Sequence, residues 1–292
     1  LNYALKHVRG GIVAVFDADN VPQPDVLLNI VKYFEDSSVA AVQGTTCVIN
    51  ADENMLTKFL SYEEAVWLGD YLQGKDSLNL FVPLTGSCLF VRKEVAERVG
   101  GWNEGCLAED LEMSAKITEK GYNIKYAPEV MSWQEAPSSL AQLAKQRIRW
   151  FRGYMEVAAK YSSLLRKMEM RSIDAEITFM GPFVLTLFFI TTFAALCFSC
   201  LQPQPASIFT VVSRPALLLT AGTLLVVAMA LIYATKPRSL KNALWLPFVY
   251  AYLSLQGALA TYAFLQIMFK RPRKRTRTAK TGRCTQRVAE KL

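Results

Sequence analysis

Four groups of residues have the types and spacing to do chemistry. In chain order they are Asp17-Ala18-Asp19, Thr85-Gly86-Ser87, Glu109-Asp110, and Gln146, Arg149 and Trp150. Asp17 and Asp19 follow the apolar run Ile12 to Phe16, and alternate side chains of an extended strand share a face, so both carboxylates leave the strand end together. Two anions that close need a cation. Hard oxygen ligands with few protein partners suit Mg²⁺ or Mn²⁺ bridging to phosphate, and the alternative is an ordinary acidic turn. Gly86 permits a close backbone approach and Ser87 offers a hydroxyl at the mouth of a strand, against the alternative of a plain turn. Glu109 and Asp110 fall in the first turn of a helix, where the macrodipole favours acids; capping explains one, and a general base explains a second. Gln146, Arg149 and Trp150 share a helix face by their i, i+3 and i+4 spacing. Arg149 can neutralise a leaving diphosphate and Trp150 can stack on a sugar, unless the helix simply lies on a membrane surface with its Arg and Trp at headgroup level.

The elements that must position these groups read as an α/β domain. Ile12 to Phe16 predicts a strand, with Asn20 to Pro24 as turn chemistry behind it; this places Asp17 and Asp19 at the carboxyl edge of a sheet. Asp25 to Phe34 predicts a helix burying Val26, Leu27, Ile30, Val31 and Phe34, and Val39 to Val42 a second parallel strand, which together make a βαβ unit. Glu53 to Leu72 predicts a helix covering the sheet. Cys88 to Val91 continues strand-like, Gly100 to Asn103 reads as a loop with Trp102 as a flat platform, and Gly121 ends the helix that begins near Leu107. Short strands follow at 123–128 and 130–134, then a helix from Leu140 to about Tyr161 capped by Ser138 or Ser139.

Composition divides the 292 residues unevenly. Residues 1–172 alternate apolar and charged segments, whereas 173–269 hold three apolar stretches, Ile177 to Leu201, Ala206 to Ala234 and Ala243 to Phe269, each longer than the ~20 residues a helix needs to cross a bilayer. Residues 270–292 form a tail with ten Lys or Arg and one acid, which reads as contact with anionic lipid headgroups; without interleaved aromatics it is not a nucleic-acid surface. The single histidine, His7, removes His-based triads and multi-His zinc sites. Six scattered cysteines make no disulfide framework, and Cys197-x-x-Cys200 inside an apolar stretch reads as packed or lipid-facing thiols. With a cytosolic N-terminal part, three crossings put the basic tail outside, against the positive-inside tendency. Two crossings plus one re-entrant or interfacial segment, with the stretch broken at Gly181-Pro182 as a candidate, keep it inside.

The order D-x-D, Thr-Gly-Ser, E-D and Q-x-x-R-W resembles the processive family 2 glycosyltransferases, the group of cellulose, chitin, hyaluronan and poly-N-acetylglucosamine synthases. The resemblance covers Leu1 to Trp150 and implies a partial GT-A, Rossmann-like domain followed by C-terminal membrane helices. It implies inverting transfer of a sugar from a nucleotide diphosphate, commonly UDP, to a growing polysaccharide, with single transfer to a lipid acceptor or a catalytically silent nucleotide-binding regulator as alternatives. On this likeness Asp17 and Asp19 hold the metal and Asp110 is the base. Gln146, Arg149 and Trp150 hold the diphosphate, and Thr85, Gly86, Glu109 and Trp150 face the acceptor. The likeness also implies an integral protein of the plasma or inner membrane with a cytosolic catalytic part, contact with membrane lipids and an accessory export partner. The chain starts abruptly at Leu1 ahead of an apolar strand that expects neighbours, so it reads as the C-terminal part of a longer polypeptide. Residues 1–292 alone are then expected to lack transferase activity.

Overall fold

The computed structural model of the chain describes residues 1–201, 218, 221–233 and 238–273. A short helix α1 (Asn2–Leu5) precedes β1 (Ile12–Val15), β2 (Val21–Pro22), α2 (Val26–Val31), β3 (Val39–Val48), α3 (Met55–Glu64) and α4 (Gln73–Ser77). Then come β4 (Leu89–Arg92), α5 (Lys93–Arg98), α6 (Glu109–Glu119), β5 (Asn123–Gln134), α7 (Leu140–Tyr161), α8 (Met170–Leu201), α9 (Ala221–Tyr233) and α10 (Leu246–Met268). Between α3 and α4 the helix widens to π geometry over Ala65–Leu72.

The five strands form one sheet in the order β1-β4-β3-β5-β2. β3 and β5 pair in parallel, as a βαβ arrangement requires, but β4 inserts between β1 and β3 and runs antiparallel to both. β1 and β3 therefore share a direction without touching, a correction to the simple βαβ expectation. Asn20 to Pro24 is also more than a turn, because Val21 and Pro22 pair with Trp133 and Ser132 of β5. The Asp17 to Asn20 segment consequently crosses the carboxyl edge of the sheet, from β1 at one side to β5 near the other.

One face of the sheet packs Val13, Ala41, Val91 and Tyr126 against Leu72, Met113 and Ile117; the other packs Val42, Phe90 and Val130 against Val26, Ile30 and Phe34. α2 and the 3-10 turn after it, Lys32–Glu35, bury the i, i+4, i+8 stripe of Val26, Ile30 and Phe34 and leave Leu27 and Val31 exposed, so the apolar face is narrower than the sequence pattern predicts. Trp102 belongs to the first core, at 4% exposure, with its backbone N–H and C=O held by the Asn2 side chain. It is a packing residue and not a platform.

Two helical segments, Met170–Ala194 and Leu240–Met268, are long and apolar enough to cross a bilayer, and Ala221–Tyr233 is shorter. The rest of the middle apolar stretch and the tail beyond Arg273 lie outside the described residues. α8 runs unbroken through Gly181-Pro182, so that dipeptide does not interrupt it. Its first turns dock on the α/β domain through Lys75, whose Nζ lies 2.9 Å from Asp174 Oδ2 and donates to Thr178 Oγ1 at 2.6 Å, while the Phe81 N–H donates to Asp174. α9 and α10 pack Leu231 and Val249 on Phe59 of α3.

Candidate active site

The carboxyl edge of the sheet gathers the segments singled out by the sequence. Asp17 and Asp19 sit on the tight turn after β1, Asp17 exposed and Asp19 half-buried, and the Asp17 N–H donates to Ser87 Oγ at 3.1 Å. The hydroxyl of Ser87 thus ties the acidic turn to the Thr-Gly-Ser loop. Among the described residues no third Asp, Glu, His or Cys joins the pair into a cluster of metal ligands. Two carboxylates at an exposed turn fit a hard cation whose other ligands come from a bound phosphate and not a closed protein cage.

The Thr-Gly-Ser loop is held by two side chains that the sequence pattern does not single out. Gln43, fully buried where the pairing of β3 with β4 ends, accepts the Thr85 N–H at 2.8 Å and donates to the carbonyls of Gly44 and Ser87 at 2.9 and 3.0 Å. Ser114 of α6 accepts the Leu84 N–H at 2.8 Å and donates to the Asp110 carbonyl at 3.0 Å, joining the loop to the helix that carries the acid. The only sequence sign of Gln43 is a polar residue that closes the apolar run Val39 to Val42.

Gly86 has φ +89°, and a Cβ built on it would stand 2.9 Å from Asp110 Oδ2. The backbone of the loop therefore lies directly against the carboxylate, which only glycine permits. Burial pushes the Asp110 carboxyl up to about 6; the Leu111 N–H at the start of α6 opposes the shift, neighbouring Glu109 adds to it, and the Arg149 guanidinium opposes it. Glu109 lines a small cleft with Trp102, Asn103 and Glu104, so the two acids serve different surroundings. Thr85 Oγ1 and Arg149 Nε are both buried without a hydrogen-bond partner in the protein.

Ser139 caps α7, its Oγ accepting the Gln142 N–H at 3.4 Å. Gln146, Arg149 and Trp150 are half-buried on this helix. α7 lies close to α6, since a Cβ on Gly153 would stand 2.6 Å from the Ala108 Cβ, and this brings Arg149 within electrostatic reach of Asp110. Tyr154, one turn beyond Trp150, shares the site: burial raises its hydroxyl well above the ordinary tyrosine value, and the Asp110 charge adds to the effect. The structure thus brings Thr85, Gly86, Asp110 and Arg149 together and links Asp17 to them through Ser87.

A family model described as glycosyl transferase family group 2 matches residues 12–265. The chain belongs to this family. Among curated proteins it is similar to the probable glycosyltransferase YdaM of Bacillus subtilis, 29% identical over 190 residues that make up 65% of this chain and 45% of that protein. It is similar to the beta-monoglucosyldiacylglycerol synthase of Trichormus variabilis, 31% identical over 198 residues, 66% of this chain and 41% of the relative. Poly-beta-1,6-N-acetyl-D-glucosamine synthase of Staphylococcus aureus is 30% identical over 158 residues, 54% and 38% of the two chains. The chain spans under half the length of these relatives. In fold it resembles the mannosyltransferase PcManGT from Pyrobaculum calidifontis, solved in complex with GDP-Man and Mn²⁺, with TM-score 0.55 and 22% identity over 93% of this chain and 66% of that one. The fold is therefore mixed α/β and GT-A-like, as a family 2 glycosyltransferase domain requires.

Proposed function

We propose that this family 2 glycosyltransferase is membrane-bound and inverting, and that it adds sugars from a nucleotide-diphosphate donor, commonly UDP-linked, to a growing polysaccharide. The observation that carries the reading is the placement of the Asp110 carboxylate, wedged against the Gly86 backbone and facing Arg149. A carboxyl raised to about 6 is ionised at neutral pH yet basic enough to take a proton from an acceptor hydroxyl as that oxygen attacks the sugar C1. Attack opposite the departing diphosphate inverts the anomeric centre. Arg149, with Nε unpartnered in the protein, receives charge that develops on the diphosphate. Gln146 supplies an amide beside it, and Trp150 offers an indole face to the acceptor sugar, with Thr85, Gly86 and Glu109 bordering the acceptor. Asp17 and Asp19 would hold Mg²⁺ or Mn²⁺, which would supply positive charge to the diphosphate.

α8 and α10 are long and apolar enough to anchor the protein in a membrane, which supports a site worked at the lipid surface. The similarity to a beta-monoglucosyldiacylglycerol synthase supports a second reading, transfer of a single sugar to a lipid acceptor. The test uses the protein expressed from its complete reading frame. Asp110→Asn abolishes turnover while nucleotide binding in Mn²⁺ persists; unchanged turnover overturns the role of Asp110. Radiolabelled product that runs as a long polymer supports the polysaccharide reading, and product that stops at one or two sugars on lipid supports the second.

A further inference from the structure

The apolar helix α10 reaches the candidate acceptor platform through a chain of three side chains. Arg147 lies over the Trp150 ring with its guanidinium carbon 4.5 Å from the ring centroid. Its Nη2 is 2.6 Å from Glu63 Oε2 on α3. The same oxygen accepts the Tyr252 hydroxyl of α10 at 2.8 Å. Arg147 and Glu63 are largely withdrawn from water, with side-chain exposures of 15% and 32%, so their attraction is screened less than that of a surface pair. A planar guanidinium both stacks on an indole and pairs with a carboxylate, and the Glu63 pairing fixes the plane that Trp150 meets. Three helices far apart in sequence, α3, α7 and α10, meet at the Glu63 carboxylate, and one of them is apolar enough to lie in lipid.

We propose that Arg147, Glu63 and Tyr252 are positioning residues for Trp150, and that through Tyr252 the seating of α10 sets the affinity of the site for its sugar acceptor. The inference rests on the reading of Trp150 as the acceptor platform. None of the three touches the reacting atoms; each acts through the indole. Loss of the Tyr252 hydroxyl frees Glu63 to swing, the guanidinium plane tilts, and Trp150 samples orientations that bind a sugar face poorly. The cost falls on acceptor binding and leaves the chemistry at Asp110 intact.

The test takes the protein from its complete reading frame in lipid nanodiscs, labelled with 5-fluorotryptophan, with the Trp150 resonance assigned by Trp150→Phe. Tyr252→Phe and Glu63→Gln are expected to shift or broaden the Trp150 signal and to leave those of Trp67, Trp102 and Trp133 in place. Arg147→Lys, which keeps the charge and loses the planar stack, is expected to do the same. Acceptor KM is expected to rise three- to tenfold in each variant with kcat within twofold, and Tyr252→Phe added to Glu63→Gln to have little further effect. An unmoved Trp150 resonance in both Tyr252→Phe and Glu63→Gln overturns the proposal, as does a fall in kcat at constant KM. If Trp150→Phe itself leaves acceptor KM unchanged, the platform reading fails, and that failure is distinct because the resonance shifts report the positioning chain without any turnover.

Discussion

Gly86→Ala tests the site at its tightest contact. The new methyl would stand 2.9 Å from Asp110 Oδ2, where ordinary contact begins at 3.4 Å, so the carboxylate or the loop must yield by about half an ångström. The substitution also places an L side chain at φ +89°, which costs about 1–2 kcal/mol. These effects separate with Gly100→Ala, because Gly100 has φ +82° with nothing within 4 Å of its added Cβ. Both variants should lose similar stability from the backbone. Only Gly86→Ala should lose rate: if a misplacement of about 1 Å costs a catalytic group on the order of a hundredfold, half that costs on the order of tenfold. Turnover is read by radiolabelled sugar transfer at saturating donor, and stability by thermal unfolding monitored by tryptophan fluorescence in the same detergent. The reasoning is refuted if Gly86→Ala turns over within twofold of Gly100→Ala, since the Asp110 carboxylate would then tolerate displacement and would not be the base.

Four further outcomes are expected. Because burial holds the Asp110 carboxyl at about 6, the rate should rise about tenfold per pH unit below that value and level off above about 7; a profile flat from pH 5 to 8 contradicts the assignment. Its folded-state value lies above its unfolded value of 3.8, so the stability it contributes is complete below 3.8 and is lost as pH rises through about 6; Asp110→Asn should therefore melt above the parent at pH 7, with the gap shrinking at pH 4. Gln43→Ala leaves the Thr85 N–H and the Ser87 carbonyl without their buried partner and should cost on the order of 3 kcal/mol in chemical unfolding, with loss of transfer as the loop loosens. Asp174→Asn strips the charge partner from buried Lys75 and should destabilise by about 3–5 kcal/mol, while Lys75→Met with Asp174→Asn, which keeps an acceptor for the Phe81 N–H, should recover most of that loss, read as melting temperature in detergent.

The parts of this molecule that are legible in its sequence are those set by local periodicity. β1 ends just before Asp17, α6 opens on Glu109-Asp110, and α7 spans Leu140–Tyr161 behind a serine cap, because each follows from a run of apolar residues and the residue that ends or caps it. What the pattern conceals is pairing. The insertion of β4 between β1 and β3 leaves no trace in either strand, since an apolar run buried on both faces reads the same whether its neighbour is parallel or antiparallel. Trp102 shows the same limit at one residue: the glycines beside it read as a loop, yet its ring is buried in the core and its backbone is held by Asn2, a hundred residues away.

The site follows that division. Its charged groups stand out because carboxylates and a guanidinium are expensive to bury without purpose. The groups that aim them do not, because a glutamine within a strand, a serine in a helix and a glutamate on an amphipathic helix are each ordinary where they stand. Gln43 holds a loop 42 residues on, and Glu63 meets Tyr252 across 189 residues. Spacing in the chain reveals which side chains can carry charge, whereas the direction in which each one points is decided by contacts that only the folded chain creates. For Asp110 the side chain lies against the bare backbone of Gly86, and Ser114 ties that loop to the helix through the Leu84 N–H and the Asp110 carbonyl, so the reactivity of the acid belongs to the loop as much as to the helix.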